Sequence, residues 1–137
     1  MRITWIANGL IVLCLASQAL HARNYVNYAC NGISESMAIL PCTEVEQKKS
    51  DRRLNLSYKN ARERISRGNQ SDPEFVNLYL EKLRDSQRTW INLRDKNCDL
   101  ESFDFEQGSV LDRVITNLCM AGMSDERANF LDRVSVD

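Results

Sequence analysis

The chain has 137 residues, with 18 Lys plus Arg against 19 Asp plus Glu, five Cys and one His. That length fits one compact domain rather than two, and a formal charge of −1 lacks the whole-chain basic excess that nucleic-acid binding wants. Two Pro and five Gly exclude collagen-like and Pro-rich linker architectures.

In chain order, Met1-Arg2 precedes an apolar stretch from Ile3 to Ala16, and a small, polar run follows from Ser17 to Ala22. A basic n-region, an apolar h-region and small residues before the break predict a secretory signal peptide over 1–22, cleaved after Ala22. The apolar part is short for a bilayer span. A lipid anchor on Cys14 is disfavoured because bulky Leu13 precedes it. The expected mature domain, 23–137, therefore holds no His and four Cys: Cys30, Cys42, Cys98 and Cys119. An even cysteine set in an exported domain reads as two disulfides. The spacings lack the CxxC knuckles of a zinc site, so no metal and no cofactor is expected.

Thr43-Glu44-Val45-Glu46 has the form of a capping box, and a helical pattern continues from it to Gly68. Its expected inner face carries Asp51, Leu54, Asn55, Tyr58, Ala61 and Ile65. Asp72-Pro73-Glu74 then opens a second helix, with Asp as cap and Pro at the first helical position. Its stripe runs Val76, Tyr79, Leu83, Gln87, Trp90, Ile91 and Arg94 to Cys98. Two long helices joined by a short polar turn should lie antiparallel.

In that hairpin, facing residues have numbers summing to about 140, which sets Cys42 opposite Cys98 and leaves Cys30 for Cys119. The same register places Asp51 near Trp90 and Asn55 near Gln87, a polar network that fixes the hairpin register. Ser109, with Asp112, caps a third helix ending at Gly122, and Ser124-Asp125-Glu126 starts a short fourth. The expected fold is all-α: a small bundle of three to four helices built on a long antiparallel helical hairpin, with two disulfides.

Without His, Ser-His and Cys-His nucleophilic catalysis is out of reach, and neither a phosphate loop nor HExxH is present. The chain reads as a binding protein, not an enzyme. Two regions are candidates for a partner. One is the network around Trp90, Arg94 and Asp95, since Trp and Arg are enriched among binding hot spots. The other is the loop 99–109, whose Phe103, Asp104 and Phe105 sit among further acids. Lys48-Lys49 with Arg52-Arg53 reads as a solvated helix face.

Several elements resemble the LprI-type lysozyme-inhibitor family. They are Asp51-xx-Leu54-Asn55-xx-Tyr58 after Cys42, Gln87-Arg88-x-Trp90, Arg94-Asp95-xx-Cys98, Gly108-Ser109, Cys119 and Arg127-Ala128-xx-Leu131. The resemblance implies a helical, disulfide-bonded envelope protein that binds a lysozyme and occludes its cleft. Trp90, Arg94, Asp95 and Arg127 enter as motif residues. The expected setting is periplasmic or secreted, with a protein partner, no nucleic acid and no stable membrane anchor after cleavage. A periplasmic immunity protein against a delivered toxin, or a non-inhibitory envelope adaptor, is the alternative.

Overall fold

The structure, a computed structural model, describes residues 30, 32–33, 36–68 and 71–135. The expected leader 1–22, with Cys14 and His21, lies outside the described residues. Three helices follow in order: α1 (Ser36–Gly68), α2 (Pro73–Glu101) and α3 (Val110–Asp132). Among the described residues there is no strand, and no helix is long and apolar enough to cross a membrane.

The local signals for α2 and α3 act as their chemistry dictates. The Asp72 carboxylate accepts the Phe75 N–H at 3.0 Å, and Pro73 occupies a position whose missing N–H needs no partner. The Ser109 hydroxyl accepts the Asp112 N–H at 3.2 Å, while the Asp112 carboxylate accepts the N–H of Gly108 at 2.7 Å. Gly108 has φ +81°, a conformation that costs a residue with a Cβ far more.

Helix α1 departs from the capping-box reading. It starts seven residues before Thr43, runs through Pro41 and buries Thr43 completely. The Thr43 hydroxyl donates to the Leu40 carbonyl at 2.9 Å and accepts from Asn117 of α3 at 3.3 Å. Pro41 removes one backbone donor from the ladder, but the adjoining Cys42 is tied to Cys30, which holds this early turn in place.

Helix α3 also overrides its punctuation. It passes without a break through Gly122 and Ser124, so the described fold has three helices and the expected fourth is the second half of α3. A mid-helix Gly costs about 1 kcal/mol relative to Ala. Burial of Ala121, Met123, Ala128 and Leu131 on the same helix outweighs it.

Helix α3 packs most extensively against α1. The contacts Thr43 to Asn117, Ser50 to Asp125 and Arg64 to Leu131 advance together along both chains, so α1 and α3 run parallel. Helix α2 runs antiparallel to both. Arg64 of α1 closes the far end of α3, donating to the carbonyls of Leu131 and Val134 at 2.6 and 2.9 Å. These are carbonyls that a helix terminus leaves without an intrahelical partner.

The core has two parts. Leu54, Ala61, Ile65, Leu83 and Leu131 form the larger cluster; Cys98, Cys119 and Met123 form the smaller. Trp90 packs against both.

This arrangement corrects the disulfide pairing. The bonds are Cys30–Cys42 and Cys98–Cys119, with Cα separations of 5.8 and 5.5 Å. A two-helix hairpin would bring Cys42 to Cys98. Here α3 lies against both elements at that end: Thr43 meets Asn117, and Cys98 is bonded to Cys119. Each bond therefore closes a short stretch of chain. In the loop-entropy treatment either one stabilises the fold by about 3 kcal/mol. Replacing Cys98 and Cys119 together by Ala should lower urea-unfolding stability by at least about that amount, since both are fully buried. Peptide mapping under non-reducing conditions should recover the two local pairs and no Cys42–Cys98 peptide.

Candidate functional site

The polar residues on the inner stripes converge on one node. Arg94 of α2 donates through one terminal nitrogen to the Asp51 carboxylate of α1 at 3.0 Å and to the Ser124 hydroxyl of α3 at 3.2 Å. Ser124, fully buried, donates in turn to the same Asp51 oxygen at 2.9 Å. The other guanidinium nitrogens of Arg94 reach Asp95 at 2.9 and 3.0 Å. The Arg94 side chain is only 13% exposed. A cation so enclosed needs its counter-charges, and it receives two carboxylates and a hydroxyl from three helices.

Two turns back along α2, Gln87 and Ser86 accept from Arg127 of α3 at 3.0 and 2.8 Å. Trp90 lies between, with the Arg94 and Arg127 guanidinium carbons 5.5 and 5.7 Å from its ring centroid. Arg127 also stands 4.8 Å from the Phe130 ring. Both arginines offer the indole cation–π attraction. Burial lowers the Arg127 pKa from its ordinary value, yet a guanidinium stays charged at neutral pH.

The expected partners differ in detail. Asp51 meets Arg94 and Ser124 rather than Trp90. Gln87 is buried but meets Arg127, whereas Asn55 is exposed on α1. Trp90 is half-buried between the two core clusters, which makes it a packing residue rather than a projecting anchor. Ser124 was missed as a member of this node because a Ser before Asp-Glu reads as a helix start.

The second candidate region is exposed. After α2 ends, Ser102 is buried and its N–H returns to the Cys98 carbonyl at 3.2 Å. The Phe105 N–H bonds the Ser102 carbonyl and the Ser109 N–H bonds the Glu106 carbonyl, each at 3.0 Å. This tight turn directs Phe103 into solvent at 80% exposure; Leu100 near the end of α2 is 74% exposed and Leu111 in the first turn of α3 56%. Phe103 is therefore not tucked onto the core.

Asp99, Asp104, Glu106 and Asp112 belong to the same end of the bundle. A cleft of about 320 Å³ opens there between Asp99, Ser102, Phe103, Phe105, Gln107 and Asp112. The Gly108 N–H, then Ser102, hold the Asp112 carboxyl below its ordinary value of 3.8.

Residues 28–131 match the family model for lysozyme inhibitor LprI. The chain belongs to the LprI family. No curated protein matches it significantly. A crystal structure of a DUF1311 family protein from Pseudomonas putida is similar in fold, with a TM-score of 0.64 at 24% identity. That alignment covers 70% of this chain and 89% of the other.

Within this LprI fold, Asp51, Gln87, Trp90, Arg94 and Arg127 all take part in the interhelical network. Arg94→Ala should destabilise the fold by about 2 to 4 kcal/mol in urea unfolding, because Asp51 and Ser124 lose their shared donor. Arg94→Lys should recover only part of the loss, since an ammonium cannot serve all three groups with the geometry of a guanidinium.

Asp112 gives a pH-dependent counterpart. Its folded pKa is depressed, so its contribution is present above the unfolded value near 3.8 and is lost as pH falls through the folded value. The melting-temperature gap between the native chain and Asp112→Asn should therefore be open at pH 6 and narrow steadily below about pH 4.

Proposed function

We propose that this chain is an exported inhibitor that binds a lysozyme and occludes its substrate cleft with the turn 102–109. The observation that carries this reading is the apolar and acidic end of the bundle: Phe103 and Leu100 stand in solvent among carboxylates on a well-braced turn. Exposed aromatic groups supply anchoring area on burial. The surrounding acids suit a basic partner and speed its approach. Membership of a lysozyme-inhibitor family points to the class of partner.

The turn is braced from both sides. Cys98–Cys119 ties the end of α2 to α3, and the Gly108–Asp112 and Ser109–Asp112 bonds fix the start of α3. A surface organised in advance loses less conformational freedom on binding. By contrast, Arg94 and Arg127 already have partners inside the network and are poorly placed to reach the carboxylates of an enzyme. The predicted leader 1–22 and the disulfides fit an oxidising compartment outside the cytoplasm.

The test is hydrolysis of bacterial cell wall by a basic lysozyme in the presence of increasing amounts of oxidised protein. Dose-dependent inhibition is expected. Phe103→Ala combined with Leu100→Ala should weaken it roughly tenfold or more while leaving the melting temperature unchanged, because both side chains are solvent-exposed. Unaltered turnover at high molar excess across several lysozyme types would overturn the proposal.

A further inference from the structure

The basic run on α1 divides in the folded chain. Arg53 turns to α3, where it meets Asp125 at 3.2 Å, Asp132 at 3.6 Å and the side chain of Asn129. Lys48 and Arg52 have no ion-pair partner among the described residues. Lys49 and Lys59 reach only Glu46 and Glu63 of their own helix, at 3.4 and 4.0 Å, with both lysines largely exposed. Such exposed bridges hold a cation weakly and leave it accessible to a better partner.

These residues share a face. At 3.6 residues per turn, Val45, Lys49, Arg52, Leu56 and Lys59 lie on the side of α1 opposite to Leu54, Ala61 and Ile65, with Lys48 at its margin. Val45 and Leu56 on this face are 59% and 58% exposed. From Val45 to Lys59 the face is about 21 Å long. It carries four cations and two aliphatic side chains, with Glu63 one turn further on.

We propose that this face of α1 binds the surface of an anionic phospholipid bilayer, with the helix lying along the membrane plane. The four cations complement a negatively charged headgroup layer, at about one comparable increment of attraction each. The aliphatic pair decides between a membrane and a soluble polyanion. Val45 and Leu56, three turns apart among the cations, gain from a headgroup–acyl boundary but gain nothing from a hydrated polymer. Two aliphatic residues make the contact shallow, so it is reversible and sensitive to salt. The acidic turn 102–109 lies at the end of the bundle, and repulsion directs it away from the same membrane. This inference is independent of lysozyme inhibition.

The experiment uses the oxidised chain from Arg23 onward, which contains every residue of the described fold and omits the apolar leader. Cosedimentation is measured with vesicles of phosphatidylcholine alone and with phosphatidylglycerol added to about one-third. Binding is expected only with the anionic vesicles, and it should fall between low and physiological salt. Lys48→Glu, Arg52→Glu and Lys59→Glu together should weaken it on the order of 100-fold, with the far-UV circular dichroism unchanged. Leu56→Ser should weaken it with the four cations intact.

Equal binding to both vesicle types would overturn the proposal, as would no binding to either. Binding to soluble polyphosphate that competes fully, with no loss on Leu56→Ser, would overturn it in favour of a polyanion site. The lysozyme assay on the same variants reads the turn 102–109, which they leave unaltered, and keeps the two tests separate.

Discussion

The enclosed charge of Arg94 constrains the whole bundle. A guanidinium shielded from water is costly unless its donors are matched, and the matching groups come from three directions: Asp51 on α1, Asp95 on α2 and Ser124 on α3. A shift of any helix by one residue would rotate its contribution by about 100° and remove it. Apolar contacts alone tolerate such slips more readily, because hydrophobic burial is non-directional. The larger cluster around Ile65 and Leu131 supplies stabilising area on one side of the node, and the Cys98–Cys119 cluster supplies it on the other. Trp90 joins them, so the node sits at the junction of the two parts of the core.

Much of this was legible before any coordinates. Asp72-Pro73 and Ser109 with Asp112 mark helix starts whose chemistry is complete within four residues, and both act as read. The inner stripe expected for α2 holds at Leu83, Gln87, Trp90, Arg94 and Cys98 and fails at exposed Ile91, because period-3.6 patterning reports the buried face and blurs at its margin. The differences share one cause: α3 touches both helices of the α1–α2 hairpin, and a hairpin register by itself leaves that helix out. Gln87, Arg94 and Asp51 are placed toward the interior by the pattern, with partners that depend on α3, and Asn55 is misplaced there. A one-dimensional pattern gives the face of a residue and not the third helix that meets it. Gly122 and Thr43 fail for a related reason, since tertiary packing overrides local stop and start signals worth about 1 kcal/mol.

The site reading turns on the same distinction. Trp90, Arg94 and Arg127 look like binding hot spots by residue type, yet each has partners that explain it within the fold. Phe103 and Leu100 look like ordinary members of a loop and a helix end, yet they stand in water. What separates the two groups is exposure after folding. Asp51, Gln87, Trp90, Arg94 and Arg127 thus describe how the bundle is held together, whereas a surface for a partner has to be sought where packing leaves large apolar groups without a role. The fully buried Ser124 makes the point from the other side: its hydroxyl is invisible as a motif but indispensable to the geometry of Arg94 and Asp51.

A formal charge of −1 for the chain conceals an uneven distribution. Carboxylates gather where α2 turns into α3, and cations line the outer side of α1. Because the exposed cations of α1 sit opposite its buried stripe, folding separates them from most of the acids instead of pairing them. Arg53 is the exception, reaching Asp125 and Asp132 of α3, and from α3 Arg113 reaches back to Glu44 of α1. Net charge governs long-range behaviour such as solubility, but at distances inside a Debye length of about 8 to 10 Å a partner meets the local face rather than the sum. The composition therefore excludes a uniformly basic surface and leaves room for two faces of opposite sign. The three-helix packing gives each of them a separate place on the molecule.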